Sequence, residues 1–146
     1  MKIDVEYMDT EQYLALMEQT RKKQPVNSRK VVLDNIEFDS GAEAGRWQEL
    51  KLLQRAGDIQ QLSAHPEFII QVKGRDKFGQ AFRQRTYTAD FRYWDVGKSH
   101  WIIEDVKGKR YTKAGNVVPH VSRDFYLRWD AARAAYPDYE FIIVIR

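Results

Sequence analysis

Residues 83–107 read Arg83-Gln-Arg-Thr-Tyr-Thr-Ala-Asp90-Phe-Arg-Tyr-Trp-Asp-Val-Gly97-Lys-Ser-His100-Trp-Ile-Ile-Glu-Asp105-Val-Lys107. The stretch predicts two strands, Arg83–Trp94 and His100–Lys107, joined by a tight turn at Gly97-Lys98. A two-residue hairpin turn led by glycine predicts type II′ geometry, and that sets the register: Val96 faces Ser99, Trp94 faces Trp101, and Asp90 faces Asp105. Side chains alternate along a strand, so Lys107 shares the face of Asp105. In the first strand, alternation places Arg83, Arg85, Tyr87, Ala89, Phe91 and Tyr93 on one face and Gln84, Thr86, Thr88, Asp90, Arg92 and Trp94 on the other. Directly opposed residues lie only about 5 Å apart. Two carboxylates at that separation repel unless a cation sits between them. An all-oxygen site suits Mg²⁺ or Mn²⁺, with Lys107 beside the water or phosphate such an ion would hold. The competing reading is an edge or solvent-facing hairpin whose acids need no partner.

A third acid bears on that choice. Ser40-Gly-Ala-Glu43 opens a predicted helix that runs to about Ala56, with Gly57 as its stop signal. Ser40 and Glu43 have the spacing of a capping box, in which Glu43 reaches back to an orphan backbone N–H. Yet Glu43, Trp47 and Leu50 recur at i, i+4 and i+7, which puts Glu43 on the stripe the helix buries. A carboxylate there needs a partner, and a shared metal supplies one. Capping and ligation both stay open for Glu43.

These residues carry a family resemblance. A helix with Glu43, a strand, a strand with Asp90, a strand with Asp105-Val106-Lys107, a helix and a strand resemble the αβββαβ core of the PD-(D/E)XK nucleases. With Phe38-Asp-Ser-Gly-Ala-Glu43, Pro66-Glu-Phe68, Thr88-Ala-Asp-Phe91 and Glu104-Asp-Val-Lys-Gly108, the chain is similar to small phage proteins of that superfamily. It is also similar to phage endonuclease I type Holliday junction resolvases. The resemblance covers roughly residues 36–146. Ala89 replaces the proline of the motif, and Asp105 replaces the commoner Glu, which shortens one ligand arm and leaves Glu104 as a rival. Parity sets Glu104 on the face opposite Lys107.

The resemblance implies an α/β fold with a mixed central sheet and metal-dependent hydrolysis of DNA phosphodiesters. Asp90 and Asp105 would ligate Mg²⁺ or Mn²⁺, the Val106 carbonyl would join them, and Glu43 would complete a first or second metal position. Lys107 would hold the attacking water and offset charge growing on the phosphate. It further implies branched DNA, such as a Holliday junction in phage recombination or replication, as substrate, cut by a homodimer. Two alternatives stand beside it: a nuclease of the same chemistry acting on linear or single-stranded DNA, and a non-cutting DNA-binding accessory protein on the same fold.

The chain has 146 residues, enough for one core without staples, and 43% hydrophobic content argues against disorder. Its formal net charge of +3 leans mildly towards a polyanionic partner. The absence of Cys excludes disulfides, thiolate zinc sites and Cys nucleophiles. No apolar run is long enough to span a membrane and no signal-peptide pattern appears, which predicts a cytoplasmic protein, in the host cytoplasm for a phage gene product. No phosphate-binding glycine loop or serine elbow appears. His65, His100 and His120 lack ligand spacing and are read as turn or surface residues.

Residues 1–35 are read as an N-terminal helix, Thr10–Lys23, and a basic connector containing Arg21, Lys22 and Lys23, followed by a nuclease-like unit over 36–146. Val31–Phe38 reads as extended, and Phe68–Lys73 as the first core strand, turning at Asp76–Gly79. Gly108–Asn116 reads as a basic loop, with Lys109, Arg110 and Lys113 as DNA contacts beside Arg21, Lys22 and Lys23. Ser122 is read as the cap of a helix whose apolar stripe is Phe125, Trp129, Ala132 and Tyr136, ended by Pro137. Arg123, Arg128 and Arg133 face either DNA or solvent. Tyr139–Ile145 closes the chain as an apolar strand covered on both faces.

Overall fold

A computed structural model describes residues 29–146. The expected helix Thr10–Lys23 and the contacts at Arg21, Lys22 and Lys23 lie outside the described residues. The predicted extended segment is a hairpin of β1 (Val31–Leu33) and β2 (Ile36–Phe38). Its two-residue turn has φ 52° at Asp34 and 61° at Asn35, the left-handed pair of a type I′ turn, which Asp and Asn tolerate best after glycine. Helix α1 (Gly41–Ala56) follows, with Ser40 Oγ accepting the Glu43 N–H at 3.2 Å and Gly57 closing it at φ 87°. Its buried side chains are Ala44, Trp47 and Leu50.

The strands continue as β3 (Ile59–Ala64), β4 (Glu67–Gln71), β5 (Gly74–Arg75), β6 (Ala81–Phe82), β7 (Arg85–Thr88), β8 (Phe91–Asp95) and β9 (His100–Lys107). A hairpin of β10 (Lys109–Tyr111) and β11 (Val117–Pro119) precedes helix α2 (Phe125–Ala135) and strand β12 (Glu140–Ile145). The result is a mixed α/β fold whose central sheet has the order β12-β9-β8-β3. β12 runs parallel to β9, while β8 is antiparallel to both β9 and β3. A parallel neighbour needs a crossover, and α2 supplies it.

Two apolar layers sandwich this sheet. Phe38, Trp47, Leu50, Phe91, Tyr93, Ile102 and Val106 pack on the α1 side, whereas Phe68, Tyr87, Ala89, Ile103, Phe125, Trp129 and Ala132 pack on the α2 side. β12 feeds both layers, Ile142 and Val144 to one and Phe141 and Ile143 to the other. The apolar run read as covered on both faces packs against both layers but is only partly buried, as an edge strand is.

The long strand expected over Arg83–Trp94 is broken at Ala89-Asp90 into β7 and β8, and its partner is broken at the same level between β3 and β4. Pro66 has no N–H for a ladder, and His65 takes φ 53°. Two bonds staple the step: His65 N–H to Asp90 O at 2.8 Å and Ala89 N–H to Pro66 O at 3.0 Å. Across it the buried side chains change sides, although their parity is unchanged. Tyr87 and Ala89 face the α2 layer, and Phe91 and Tyr93 face the α1 layer.

The expected first core strand, Phe68–Lys73, is β4, which ends at Gln71 and pairs with β7 outside the central sheet, where β3 takes that place. Three further expectations are corrected. The β8–β9 register is as predicted, with Trp94 opposite Trp101, but four residues separate the strands and Ser99, not Gly97, has positive φ, at 57°. Ser99 N–H bonds Asp95 O at 2.8 Å, and Asp95 Oδ1 accepts from Lys98 N–H, so the type II′ turn is absent. The basic loop after Lys107 is the β10–β11 hairpin. Helix α2 begins at Phe125, three residues past the expected cap; the Ser122 carbonyl, not its hydroxyl, accepts the Phe125 N–H at 3.2 Å.

Candidate active site

Asp90 occupies the step in the sheet, one residue beyond the last paired position, Phe91 opposite Glu104. Its N–H donates to Glu104 O at 3.0 Å, and its Oδ2 accepts the Val106 N–H at 2.6 Å. The break frees the Asp90 backbone from a regular ladder, and its side chain takes the place of the missing partner. The Lys107 carbonyl bonds the Arg146 N–H at 2.9 Å on the β12 edge of β9. Backbone groups alternate between strand edges, so the Val106 N–H and carbonyl both lie on the Asp90 edge.

Asp105 is 3% exposed and faces the α2 layer. Its Oδ2 accepts a short hydrogen bond from the Tyr87 hydroxyl. Its Oδ1 is 2.7 Å from Lys107 Nζ, in an ion pair without hydrogen-bond alignment, so this buried oxygen has no hydrogen-bond donor. Lys107 Nζ also sits 4.7 Å from the centroid of Phe125, whose ring forms a wall of the site. Burial, then the charges of Asp105 and Glu43, push Asp90 up to about 8, against the pull of the Val106 N–H and Lys107. Burial and the facing Asp105 likewise raise the Tyr87 phenol, keeping it a hydrogen-bond donor.

Glu43 is half-buried at the N-terminus of α1. Its Oε2 accepts the Asp39 N–H at 3.2 Å and its Oε1 faces Ser40 Oγ at 3.4 Å, so the capping role is present. Burial raises its carboxyl above the usual range, against the pull of the Asp39 N–H, the Ser40 hydroxyl and, least of these, His65. Its charge acts on Asp90 through space. Among the described residues no group of three or more His, Cys, Asp or Glu stands close enough to hold an ion. Asp90, Asp105 and Lys107 thus come together as expected, while the Glu43 carboxylate is turned to the helix cap.

The expected rival, Glu104, faces the α1 layer as parity required. Arg46 grips it through Nε at 2.9 Å and Nη2 at 2.6 Å, and the Tyr93 hydroxyl donates at 2.6 Å, leaving it saturated. Lys109, Arg110 and Lys113 are exposed on and beside β10, directly after Lys107. Tyr87 and His65 are residues of the site that the sequence did not single out. Alternation puts Tyr87 on the strand face opposite Asp90, and only the step turns it to Asp105.

Tyr87, Thr88, Asp105, Lys107 and Phe125 line a pocket of about 440 Å³. Thr86, Asp124 and Arg128 also line an adjoining cleft of about 870 Å³ that adds Arg83 and Arg85. Asp105 therefore opens into a groove edged by cations. Residues 21–134 match a family model described as a protein of unknown function, DUF1064. No curated protein and no solved structure matches the chain.

Proposed function

This chain belongs to the DUF1064 family, whose description assigns no activity, and from the site itself we propose that it is a metal-dependent endodeoxyribonuclease of PD-(D/E)XK type. One observation carries the reading: Asp90 and Asp105 converge at a break in the sheet beside Lys107, and a buried Asp105 oxygen has no hydrogen-bond donor. Lys107 balances the charge of that oxygen without an aligned hydrogen bond, which leaves it an acceptor that a ligand can complete. The donor set is all oxygen, which fits Mg²⁺ or Mn²⁺. Asp90, Asp105 and the Val106 carbonyl would hold the ion, with Glu43 as a further acid after it leaves the cap. Bound there, the ion would activate water and neutralise phosphate charge.

The side chains would divide the remaining work. Lys107 would orient the attacking water and face the charge that grows on the phosphate. Tyr87 fixes one Asp105 oxygen and leaves the other directed at the site. Phe125 and Tyr87 exclude bulk water from one side, which strengthens each electrostatic contact. Arg83, Arg85 and Arg128 would bind phosphates along the groove, and Lys109, Arg110 and Lys113 would do so beyond it. Branched DNA and a homodimer are the substrate and assembly that the resemblance suggests.

A second reading, a DNA-binding protein that does not cut, is favoured by the capped position of Glu43 and the absence of a three-acid group among the described residues. Cleavage of a four-way junction and of matched linear duplex, each with Mg²⁺ and with chelator, separates the two. Metal-dependent product that disappears in Lys107→Ala supports the nuclease. Binding without product under any divalent ion supports the second reading.

A further inference from the structure

The β5–β6 hairpin holds an aromatic ring out in water on a stiffly built turn. Phe78 at its tip is 79% exposed. Asp76 Oδ1 accepts the N–H groups of Phe78 at 2.9 Å and Gln80 at 3.0 Å, while Asp76 N–H bonds Gln80 O at 3.0 Å. Arg75 Nη1 adds a bond to Gly79 O at 2.7 Å, and Gly79 takes the left-handed φ of 82° that closes the turn. At the base, Phe82 folds over Gly74, where a Cβ would meet the ring at 2.7 Å. A tip this well bonded is not frayed, yet it leaves most of its aromatic surface in water.

Charge identifies what would cover it. The hairpin and its flanks carry four cations, Lys73, Arg75, Lys77 and Arg83, and the one acid of that segment, Asp76, is occupied by the turn. Lys77 Nζ lies 5.1 Å from the Phe78 centroid, so the ring and a cation present together. From Arg83 the chain continues into β7 along the cationic cleft and reaches Tyr87 at the acids. Nine residues of extended chain span at most about 30 Å, or roughly nine nucleotides at 3.4 Å per step.

We propose that the β5–β6 hairpin is a wedge that stacks an unpaired nucleic-acid base on Phe78 while its cations hold the flanking phosphates. The base lies within roughly nine nucleotides of the phosphate at Asp105. The inference rests on the DNA-substrate reading of the site and adds to it a preference for DNA with unpaired bases. Base–aromatic stacking is sequence-tolerant because every base has a π-face, so the wedge selects structure and not sequence.

The test uses the full chain in chelator, so that binding is read without cleavage. Probes are a fork, a short single strand and a fully paired duplex, each carrying 2-aminopurine. Phe78→Ala should keep the wild-type melting temperature, bind the fork and single strand about tenfold more weakly, and lose 2-aminopurine quenching; Phe78→Trp should restore both. Duplex affinity should stay unchanged. Equal fork affinity in Phe78→Ala overturns the wedge, as does a variant that alters only the sedimentation of the protein, which assigns the tip to self-association. Cleavage of the same probes with Mg²⁺ is scored separately. Phe78-dependent binding without any cleavage keeps the wedge and sinks the nuclease, whereas cleavage indifferent to Phe78 does the reverse. A wild-type chain that binds none of the probes sinks both.

Discussion

Glu104 and Asp105 are neighbours on β9, both buried, and each receives a tyrosine hydroxyl from the adjoining strands, yet their surroundings are opposite. Glu104 faces α1, where Arg46 and Tyr93 supply three hydrogen bonds to its two oxygens. Asp105 faces α2, where Tyr87 bonds one oxygen, Lys107 approaches the other without hydrogen-bond alignment, and Asp90 adds a like charge. A saturated buried carboxylate is a structural device that ties α1 to the sheet. An unsaturated one beside a second acid stores electrostatic cost at a position open to a ligand.

The largest effects should divide along that line. Asp105→Asn removes a charge from the proposed site and should lower metal-dependent cleavage by on the order of 10³-fold, with the melting temperature in chelator equal or higher. Arg46→Ala strands Glu104, whose side chain has no exposure. Removing one partner of a buried pair costs several kcal/mol; the one-fifth exposure of Arg46 sets the expected loss at about 3 kcal/mol, with activity per folded molecule retained. Denaturant melts and cleavage assays on both variants check this. A pair that exchanges these phenotypes breaks the comparison.

Acidity sharpens it further. Asp90 titrates near 8 in the folded chain against an ordinary value of 3.8. Between those values the folded state holds a proton that the unfolded state has lost, so stability in chelator rises as pH falls from about 9 towards 4. Asp90→Asn should flatten that slope. Since Mg²⁺ competes with the same proton, the stabilisation it brings should be larger at pH 9 than at pH 6, about 2–3 kcal/mol at a hundredfold excess over its dissociation constant. Thermal melts across pH with and without metal measure both. A Mg²⁺ shift independent of pH separates the ion from Asp90.

How much of this was legible in sequence follows from the range of each signal. Ser40, Gly57 and the spacing of Trp47 and Leu50 act within a few residues, and α1 lies where they place it, although Ala44 and not Glu43 is the buried residue of its first turn. The β8–β9 register was legible because the turn read at Gly97-Lys98 and the actual four-residue connection share one centre, although Ser99 rather than Gly97 takes the left-handed conformation. β3 shows no strand signal because the apolar residues of Ile59–Ala64 do not alternate, and the strand is irregular between Gln60 and Ser63, with Gln61 at φ 54°. The step at Pro66 and Asp90 arises between two strands, so no single-strand alternation carries it. That is why alternation places Tyr87 on the face away from Asp90 and not beside Asp105. The Arg46–Glu104 pair joins residues 58 apart in sequence, and only the packing of α1 on β9 brings them together.

Glu43 gives the smallest stability effect and the finest division of the two regions, because it stands at the end of α1 and acts on Asp90 from the other layer. As a cap it holds the Asp39 N–H, a contact that glutamine keeps, so Glu43→Gln should change stability by only a few tenths of a kcal/mol. Its charge, however, raises Asp90 and would draw a cation towards the break in the sheet. Removing that charge should lower the cleavage rate about tenfold, the usual scale for a residue that supports a metal ligand without being one, and should bring the Asp90 titration down. Rates across a Mg²⁺ titration, with the chelator melt as control, decide the matter. A loss as large as that of Asp105→Asn makes Glu43 a direct ligand that leaves its cap when metal binds. Wild-type rates at every Mg²⁺ concentration confine it to the cap and leave the site with two carboxylates.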